Sequence, residues 1–271
     1  PHEQEPSLCG GDSPKGNRIL AALSSDDYFR LLGHLEFTRL ALGEVLYDSG
    51  DRLRYIHFPT TCIVSLGFST EDGSSAQLAI VGNDGLVGVP MILGGKTTTH
   101  CAIVQSAGNA FRLRADRACC ELSKGGGLQS LSLRYMQALM TQMAQSVVCN
   151  RHHAVKQQFC RWLLLSLDRL PGNQLNVTQE LIGHMLGVRR EAVTDAAGKL
   201  QAAGLIQYSR GRITVLDRAG IETHACECYA TAKVEMDRLF HLALDDSPNP
   251  GRPNLATLRQ HALEGLHEQQ C

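Results

Sequence analysis

Hydrophobic and polar positions follow two different periods along this chain. Between residue 36 and about residue 113, short apolar runs are separated by turn residues such as Gly, Asn and Asp, which is typical of antiparallel strands. We predict strands at 45–47, 55–58, 62–68, 77–81, 100–105 and 110–113. Strands of this length and spacing indicate a sandwich or barrel. Beyond residue 127, apolar residues recur at intervals of three and four, which predicts helices.

The first of these helices, from about 128 to 151, has a nearly heptad pattern. A long helix with such a seam between two domains is a good dimerisation element. We assign the seam to Leu128, Leu131, Tyr135, Ala138, Leu139, Gln142, Gln145 and Cys149. The alternative is a helix that packs on its own β-domain. A second helix is predicted at 155–170.

Residues 176–216 read as helix, tight turn, helix and β-hairpin, the layout of a winged helix-turn-helix. Thr178 is a good N-cap for the first helix, and Gly187 tolerates the left-handed conformation that the turn often needs. The second helix is predicted at 189–203. We place its buried face on Ala192, Ala196, Leu200 and Ala203.

The second helix then directs polar side chains outward, as a helix in the DNA major groove would. These are Arg189, Arg190, Thr194 and Asp195. Arg210 and Arg212, in the predicted wing, are candidates for phosphate contacts. The plainer interpretation is a helical hairpin with a solvated pair of arginines. The order of cap, glycine turn, small-residue helix and wing favours DNA binding.

The charge distribution agrees with this interpretation. The formal net charge of the 271 residues is −1, yet residues 151–218 contain ten Lys and Arg against five Asp and Glu. The positive charge thus lies where phosphate contacts require it. No apolar run is long enough to cross a membrane, and no signal segment opens the sequence, so we expect a cytoplasmic protein without a membrane partner.

The ten cysteines are scattered, and we expect most of them to be reduced thiols packed as small apolar residues. The densest metal-like group is His224, Cys226 and Cys228. A single helix is predicted over 219–244, and on it Cys226 and Cys228 would point about 200° apart. We therefore predict no metal site. The sequence shows no enzyme motif, so we predict no catalytic residues and no enzymatic activity.

The residues LGVRREAV and KLQAAGLI resemble the recognition helix of the Crp/Fnr family of bacterial transcription regulators and its exit into the wing. GNDGLVGVPMILGG, residues 82–95, resembles the family's phosphate-binding cassette. The resemblance implies an α+β fold with an N-terminal antiparallel β-roll of the double-stranded β-helix type. The implied layout is a mobile arm at 1–17, a cyclic-nucleotide-binding-like sensor domain at 18–127, a dimerisation helix at 128–153, a winged helix-turn-helix domain at 154–244 and a tail at 245–271.

The resemblance also assigns DNA contacts. Arg190 and Glu191 match the family's Arg-Glu pair, which reads a G·C pair. Asp195 stands where several members have a further arginine, so the half-site is expected to differ. Thr178 matches a threonine that caps a helix and contacts phosphate, and Gln179 beside it completes the predicted DNA-binding set.

The effector pocket departs further from the family pattern. By position it comprises Gly88, Val89, Thr98, Thr99, His100 and Cys101. Val89 lies near the position of the glutamate that binds the cyclic AMP ribose, and no Arg-Ser pair is present for the phosphate. We expect no tight cyclic AMP binding, and the effector is unknown. Only Cys9 stands in the N-terminal region where redox-sensing members ligate an iron–sulfur cluster, so no cofactor is predicted.

The expected function is a homodimeric, sequence-specific transcription regulator. Its partners would be a second copy of the chain, a pseudo-palindromic DNA duplex and RNA polymerase. The alternative is a small-molecule or redox-binding module whose helix-turn-helix contacts proteins. The near-neutral net charge and Asp195 support that alternative.

Overall fold

A computed structural model describes residues 13–69 and 75–241. The chain divides into one unit, Pro1–Phe240, and a second, His241–Cys271, and the fold given below is that of the first. The predicted tail at 245–271 lies outside the described residues. Within the described ranges, no helix is long and apolar enough to span a membrane.

Of the mobile arm predicted at 1–17, residues 1–12 lie outside the described residues and residues 13–17 are structured. A 3-10 turn at Pro14–Gly16 is followed by α1 (Arg18–Ala21) and α2 (Ser25–Leu32). Asn17 is fully buried between the turn and α1. Its side chain accepts from the backbone N–H groups of Ile19 and Leu20 and donates to the backbone carbonyls of Pro59 and Gly85. Residues 13–17 therefore belong to the folded domain, because a buried amide is held in place by its hydrogen bonds.

Seven strands form two antiparallel sheets that enclose the N-terminal core. One sheet has the order β1-β7-β3 and the other the order β2-β6-β4-β5. The strands are β1 (Leu35–Leu40), β2 (Val45–Tyr47), β3 (Tyr55–Pro59), β4 (Ile63–Ser69), β5 (Ser75–Val81), β6 (Cys101–Ser106) and β7 (Gly108–Arg114). The six predicted strands correspond to β2–β7 within two residues at each end. β1 was missed because LEFTRL mixes charged and apolar residues without strict alternation.

The loop between β5 and β6 contains α3 (Val89–Ile92) and begins with two buried glycines. A Cβ on Gly82 would lie 2.5 Å from the Cβ of Arg169, and one on Gly85 would lie 2.4 Å from the ring of Tyr135. Both distances are shorter than any real carbon contact. The two glycines therefore let Arg169 and Tyr135 pack directly on the backbone of the loop.

A short helix, α4 (Ala115–Ser123), leads to the long helix α5 (Gly127–His152). The bounds of α5 agree with the prediction within one residue, but its faces are used differently. Most of the predicted dimer seam is buried within the chain, against the N-terminal core and the C-terminal half, namely Leu128, Tyr135, Ala138, Leu139, Gln142 and Cys149. Leu131 and Gln145 are partly buried. Because these side chains pack within the chain, they are not free to form the predicted dimer seam.

Another face of α5 is exposed and apolar. Leu133, Met140 and Val147 are 47%, 59% and 65% exposed, and they follow each other at intervals of seven residues. This set is called the outer stripe below. A heptad repeat keeps such residues on one side of a helix. The sequence therefore contained two stripes, and the stronger apolar one is used within the protomer.

The C-terminal half consists of helices around a small three-stranded sheet of order β8-β10-β9. Its elements are α6 (Val155–Leu167), β8 (Gln174–Asn176), α7 (Gln179–Leu186), α8 (Arg190–Ala202), β9 (Ile206–Ser209), β10 (Arg212–Val215), α9 (Arg218–His224) and α10 (Glu227–His241). The single helix predicted at 219–244 is wrong, because Ala225 and Cys226 interrupt it. β8 was not predicted.

The two halves meet through buried contacts. Ile63 of β4 and Ile80 of β5 belong to the core of the C-terminal half. Arg169, after α6, forms an ion pair with Asp84 at 2.8 Å and donates to the Leu165 carbonyl at 2.7 Å. Because both ions of this pair are buried, separating the halves would expose one charge without its partner. The pair therefore holds the halves in register.

Candidate nucleic-acid interface

The first helix of the helix-turn-helix, α7, begins as the sequence predicted. The Thr178 hydroxyl accepts a hydrogen bond from the N–H of Leu181 at 3.2 Å. Gly187 ends the helix with φ = 65°, in the left-handed region that glycine tolerates. A Cβ on Gly183 would lie 3.0 Å from the Val188 carbonyl oxygen. Gly183, which sequence reasoning did not single out, therefore permits the tight turn between the two helices.

All four polar residues predicted for the outer side of the second helix are exposed, namely Arg189, Arg190, Thr194 and Asp195. Glu191, which the family resemblance assigned to DNA contact, is exposed as well. The buried residues of this helix, α8, are Val193, Ala196, Ala197 and Leu200. The predicted buried face was thus only half right, since Ala203 is exposed and Ala192 is half-buried. The buried face lies about one residue further along, and the outward direction of the polar residues is unaffected.

Two of the polar residues on α8 have partners within the protein. Asp195 forms an ion pair with Lys199 at 2.7 Å, one helical turn away, and both side chains are more than 60% exposed. Thr194 donates its hydroxyl to the Gln179 side chain of α7 at 2.8 Å. By contrast, Arg189 and Arg190 form no ion pair within the described residues. Their positive charges are available to an external anion.

The wing is a two-residue hairpin between β9 and β10. Arg210 has φ = 50° and Gly211 has φ = 75°, the combination found in type I′ turns. The Tyr208 hydroxyl donates to the Val177 carbonyl at 2.9 Å, which ties the wing to the start of α7. Arg212 donates to the Asn176 side chain at 3.3 Å. The fixed hairpin therefore holds Arg210 at its exposed tip.

A groove of about 400 Å³ separates the start of α7, the start of α8 and the wing. It is lined by Thr178, Gln179, Glu180, Arg190, Tyr208, Ser209, Arg210 and Gly211. Burial raises the pKa of Tyr208, and the nearby charge of Arg190 acts in the opposite direction. The groove thus combines cationic side chains with helix-start polar groups. Glu180 was not predicted, since nothing in the sequence distinguishes it from a solvent-exposed helix residue.

The residues predicted for the effector pocket lie around α3 and the start of β6. Gly88 precedes α3, and the half-buried Val89 packs against the sensor core. The His100 ring contacts the Thr98 hydroxyl at 2.7 Å and the Tyr47 hydroxyl at 3.1 Å. Burial lowers the pKa of His100, which favours the neutral ring. Tyr47 was not predicted.

The remaining residues of that prediction differ in exposure. Thr99 is exposed, whereas Cys101 donates its thiol to the Gly67 carbonyl at 3.3 Å. Cys101 also lines a separate cavity of about 260 Å³ between the β2-β6-β4-β5 sheet and α7. Gln77 and Gln105 from the sheet, and His184 and Met185 from α7, line it as well. Sequence reasoning could not find this cavity, because it forms only where the two halves meet.

Comparison with known proteins agrees with this architecture. Residues 157–223 match the model of the Crp-like helix-turn-helix domain. Among curated proteins, none matches the chain. TTHB099, a CRP-family transcriptional regulator from Thermus thermophilus, is 20% identical with a TM-score of 0.56, over 69% of this chain and 96% of its own.

Two further solved structures have the same fold. A Crp/Fnr-family regulator described from Eubacterium rectale is 15% identical with a TM-score of 0.58, over 78% of this chain and 98% of its own. CLP of Xanthomonas campestris, described as a c-di-GMP responsive global regulator, is 16% identical with a TM-score of 0.54, over 71% of this chain and 99% of its own. The chain therefore has the fold of these regulators and carries a Crp-like helix-turn-helix domain at residues 157–223.

Proposed function

We propose that the chain is a homodimeric transcription regulator that reads a pseudo-palindromic DNA duplex. The observation that carries the proposal is the groove between α7, α8 and the wing, where Arg190 and Arg210 face outward without ion-pair partners among the described residues. Exposed cations on a helix and an adjoining hairpin are suited to phosphates and base edges. Two such helices would enter successive major grooves about 34 Å apart.

Within the recognition helix, we assign base reading to Arg190 and Glu191. Both stand in the first turn of α8, and both side chains are exposed. An arginine fork matches guanine O6 and N7, and a carboxylate accepts from a cytosine amino group. Asp195 forms an exposed ion pair with Lys199. An exposed pair of this kind is worth little, so DNA can separate it and use Asp195 as an acceptor and Lys199 as a phosphate contact.

The outer stripe of α5 supports dimerisation with a second copy of the chain. Leu133, Met140 and Val147 repeat at the heptad interval and are exposed in the isolated protomer. A pair of parallel α5 helices would bury all three positions of each copy at once, because a heptad repeat faces the same repeat along the whole contact. The outer stripe of one chain would therefore pack against the outer stripe of the second copy.

We infer that cyclic AMP is not the effector of this protein. The hydroxyl of Thr98 and the ring of His100 bond to each other, the ring also bonds to Tyr47, and Val89 offers no acceptor to a ribose. An effector that acts on the sensor half has a direct route to DNA, because α7 packs against β5. The Arg169–Asp84 pair joins the halves at a second point.

Selection of bound duplexes from a random pool tests the proposal. Full-length reduced protein is used alone, and then with cyclic AMP or with c-di-GMP, the ligand named for the Xanthomonas protein. A two-fold-symmetric motif in the ligand-free arm is the expected result. Enrichment only with cyclic AMP would overturn the effector proposal. A folded protein that enriches nothing in any arm, and has no salt-dependent affinity for duplex DNA, would favour the alternative of a protein-contact module.

Dimerisation is tested by analytical ultracentrifugation of Met140→Glu. A carboxylate in the middle of the outer stripe should convert the dimer to a folded monomer. Leu93→Glu is the matched control, since Leu93 is at least as exposed as Met140 but lies at the C-cap of α3 and not on α5. A dimer that survives Met140→Glu unchanged would exclude this stripe as the interface.

A further inference from the structure

Four side chains that chelate metals meet at the joint between α5 and the C-terminal half. They are Cys149, His153, Cys226 and Cys228, and their ligand atoms all lie within 4.8 Å of one another. The three cysteines form a buried cluster of their own, and His153 closes one side of it with a half-buried ring. This group is called the Cys3His cluster below.

The backbone explains how residues so distant in sequence converge. Cys149 lies in the last turn of α5, and His153 follows four residues later at its C-cap, on the same side of the helix. Cys226 lies in the break between α9 and α10, and Cys228 lies in the first turn of α10. The break removes the objection that a continuous helix would point Cys226 and Cys228 apart.

We propose that the Cys3His cluster binds one Zn²⁺ ion in a closed, four-ligand structural site. The Sγ atoms of Cys149 and Cys226 are 3.5 Å apart, and the Sγ atom of Cys228 lies 3.6 Å from the Nδ1 atom of His153. Tetrahedral zinc with ordinary bond lengths separates two thiolates by about 3.8 Å and a thiolate from an imidazole nitrogen by about 3.6 Å. These two separations therefore already have the size that a single ion requires, and all the ligand atoms lie within 4.8 Å of one another.

The surroundings of His153 select the nitrogen that would bind the ion. Its Nε2 atom lies 3.2 Å from a carboxylate oxygen of Glu227, so Nδ1 is left facing the thiols. A carboxylate that holds the distal N–H of a ligating histidine fixes the ring and strengthens its donor atom. Gln158 donates to the His153 carbonyl at 2.8 Å and fixes the backbone that carries the ring.

A buried cation nearby also fits a metal thiolate centre. Arg161 is only 6% exposed, forms no ion pair among the described residues, and its Nε atom has no hydrogen-bond partner there. Arg161 is close enough to Cys149 and Cys228 to interact electrostatically with both side chains. Three thiolates around one Zn²⁺ leave one net negative charge, which Arg161 would compensate. A buried unpaired cation is otherwise costly.

The ion would join the end of α5 to the turn before α10. These two elements flank the joint at Ala154, where the chain passes into the DNA-binding half. Zinc would thus fix the direction in which that half leaves the long helix. Zn²⁺ suits this set better than a hard cation, because thiolate and imidazole are soft to intermediate ligands.

Metal content and a cobalt spectrum test the site in the full-length protein. Protein purified under reducing conditions without chelators should contain one zinc per chain by elemental mass spectrometry. After exchange, Co²⁺ should give the thiolate charge-transfer bands and strong visible absorption of tetrahedral coordination. Folded, reduced protein that binds neither ion would overturn the proposal. So would a Cys149–Cys226 disulfide that persists in protein purified under the same reducing conditions, which would assign the pair to redox chemistry instead.

Variants locate the ligands. Cys226→Ser and Cys228→Ser should each weaken zinc binding by about 100-fold or more in competition with a chromophoric chelator, since even outer-shell losses cost about 10–100-fold. Cys160→Ala is the matched control, because Cys160 is a buried cysteine outside the cluster. Equal affinities in all three variants would contradict the assignment. Glu227→Gln keeps all four ligands and should weaken binding about 10-fold, which tests the site even where a cysteine variant fails to fold.

Discussion

Arg169 and Arg190 are the same residue type in opposite environments. Arg169 is 3% exposed and is held by Asp84, by the Leu165 carbonyl and by Gln142. Arg190 is exposed at the start of α8 and forms no ion pair among the described residues. One guanidinium is thus neutralised inside the protein, whereas the charge of the other lines an open groove.

The difference separates stability from recognition. A buried ion that loses its partner costs several kcal/mol, because the remaining charge cannot be solvated. An exposed arginine that is removed changes stability by at most about 0.5 kcal/mol, because water already solvates it. Substitutions at the buried Arg169–Asp84 pair should therefore affect folding, and substitutions on α8 and the wing should affect DNA binding alone.

The largest effect is expected for Asp84→Asn. The substitution leaves the Arg169 charge buried without a carboxylate, so the free energy of unfolding should fall by about 3–5 kcal/mol. Urea denaturation followed by circular dichroism measures it. Asp195→Asn is the matched control, since it removes a carboxylate from the exposed pair with Lys199 and should cost less than about 1 kcal/mol. If both variants lost a similar free energy of unfolding, the contrast between the buried Arg169–Asp84 pair and the exposed residues of α8 would fail.

His57 is buried like Arg169, but it has no carboxylate partner within the described residues. Burial, and then the nearby charge of Arg112, lower the pKa of His57 to about 4. Between pH ~6.5 and ~4 the unfolded chain therefore binds a proton at His57 and the folded chain does not. The folded state should lose about 3 kcal/mol as the pH falls through this window, and it should retain that contribution above pH ~6.5.

The acid sensitivity should depend on His57 itself. In His57→Leu, the free energy of unfolding should fall less steeply between pH ~6.5 and ~4 than in the unchanged protein. His34→Gln, at an exposed histidine, should leave the pH dependence as it was. A His57→Leu profile that parallels the unchanged protein would show that other groups cause the acid loss.

The recognition face was predictable because its signals are local. The Thr178 cap, the Gly187 turn and the outward arginines lie within one short stretch, and the geometry of each depends on neighbouring residues. The strands of the sensor half were predictable for the same reason. β1 was missed because its charged residues break the apolar pattern, and one of them, Glu36, pairs with Arg112 of β7, far away in sequence.

The contacts that join the N-terminal and C-terminal halves were not predictable, because the residues that form them are far apart in sequence. Asp84 and Arg169 are 85 residues apart, and Cys149 and Cys226 are 77 apart. The use of the two stripes of α5 likewise depends on which side meets the sensor core. The break at Ala225 and Cys226 could not be anticipated either, because the residues contain neither glycine nor proline. Periodicity alone thus predicts elements but not which surfaces they bury.

Arg190→Ala should leave folding intact and relax DNA specificity. Loss of a bidentate contact to guanine should reduce discrimination at one G·C pair of the half-site by about 1–3 kcal/mol. Fluorescence anisotropy with the selected duplex and with a duplex changed at that pair measures it. The free energy of unfolding should change by less than about 0.5 kcal/mol. Unchanged discrimination would remove Arg190 from base reading.

The smallest effect is expected for Arg210→Ala at the tip of the wing. A phosphate contact contributes to all sequences alike, so the selected and the changed duplex should weaken together and their ratio should stay the same. The slope of log K against log salt should become shallower by about 1, because one fewer counterion is released. Gln207→Ala, a neutral change on the same hairpin, should leave the slope unaltered. If Arg210→Ala instead changed the ratio between the two duplexes, the wing would read bases and the division between Arg190 and Arg210 would fail.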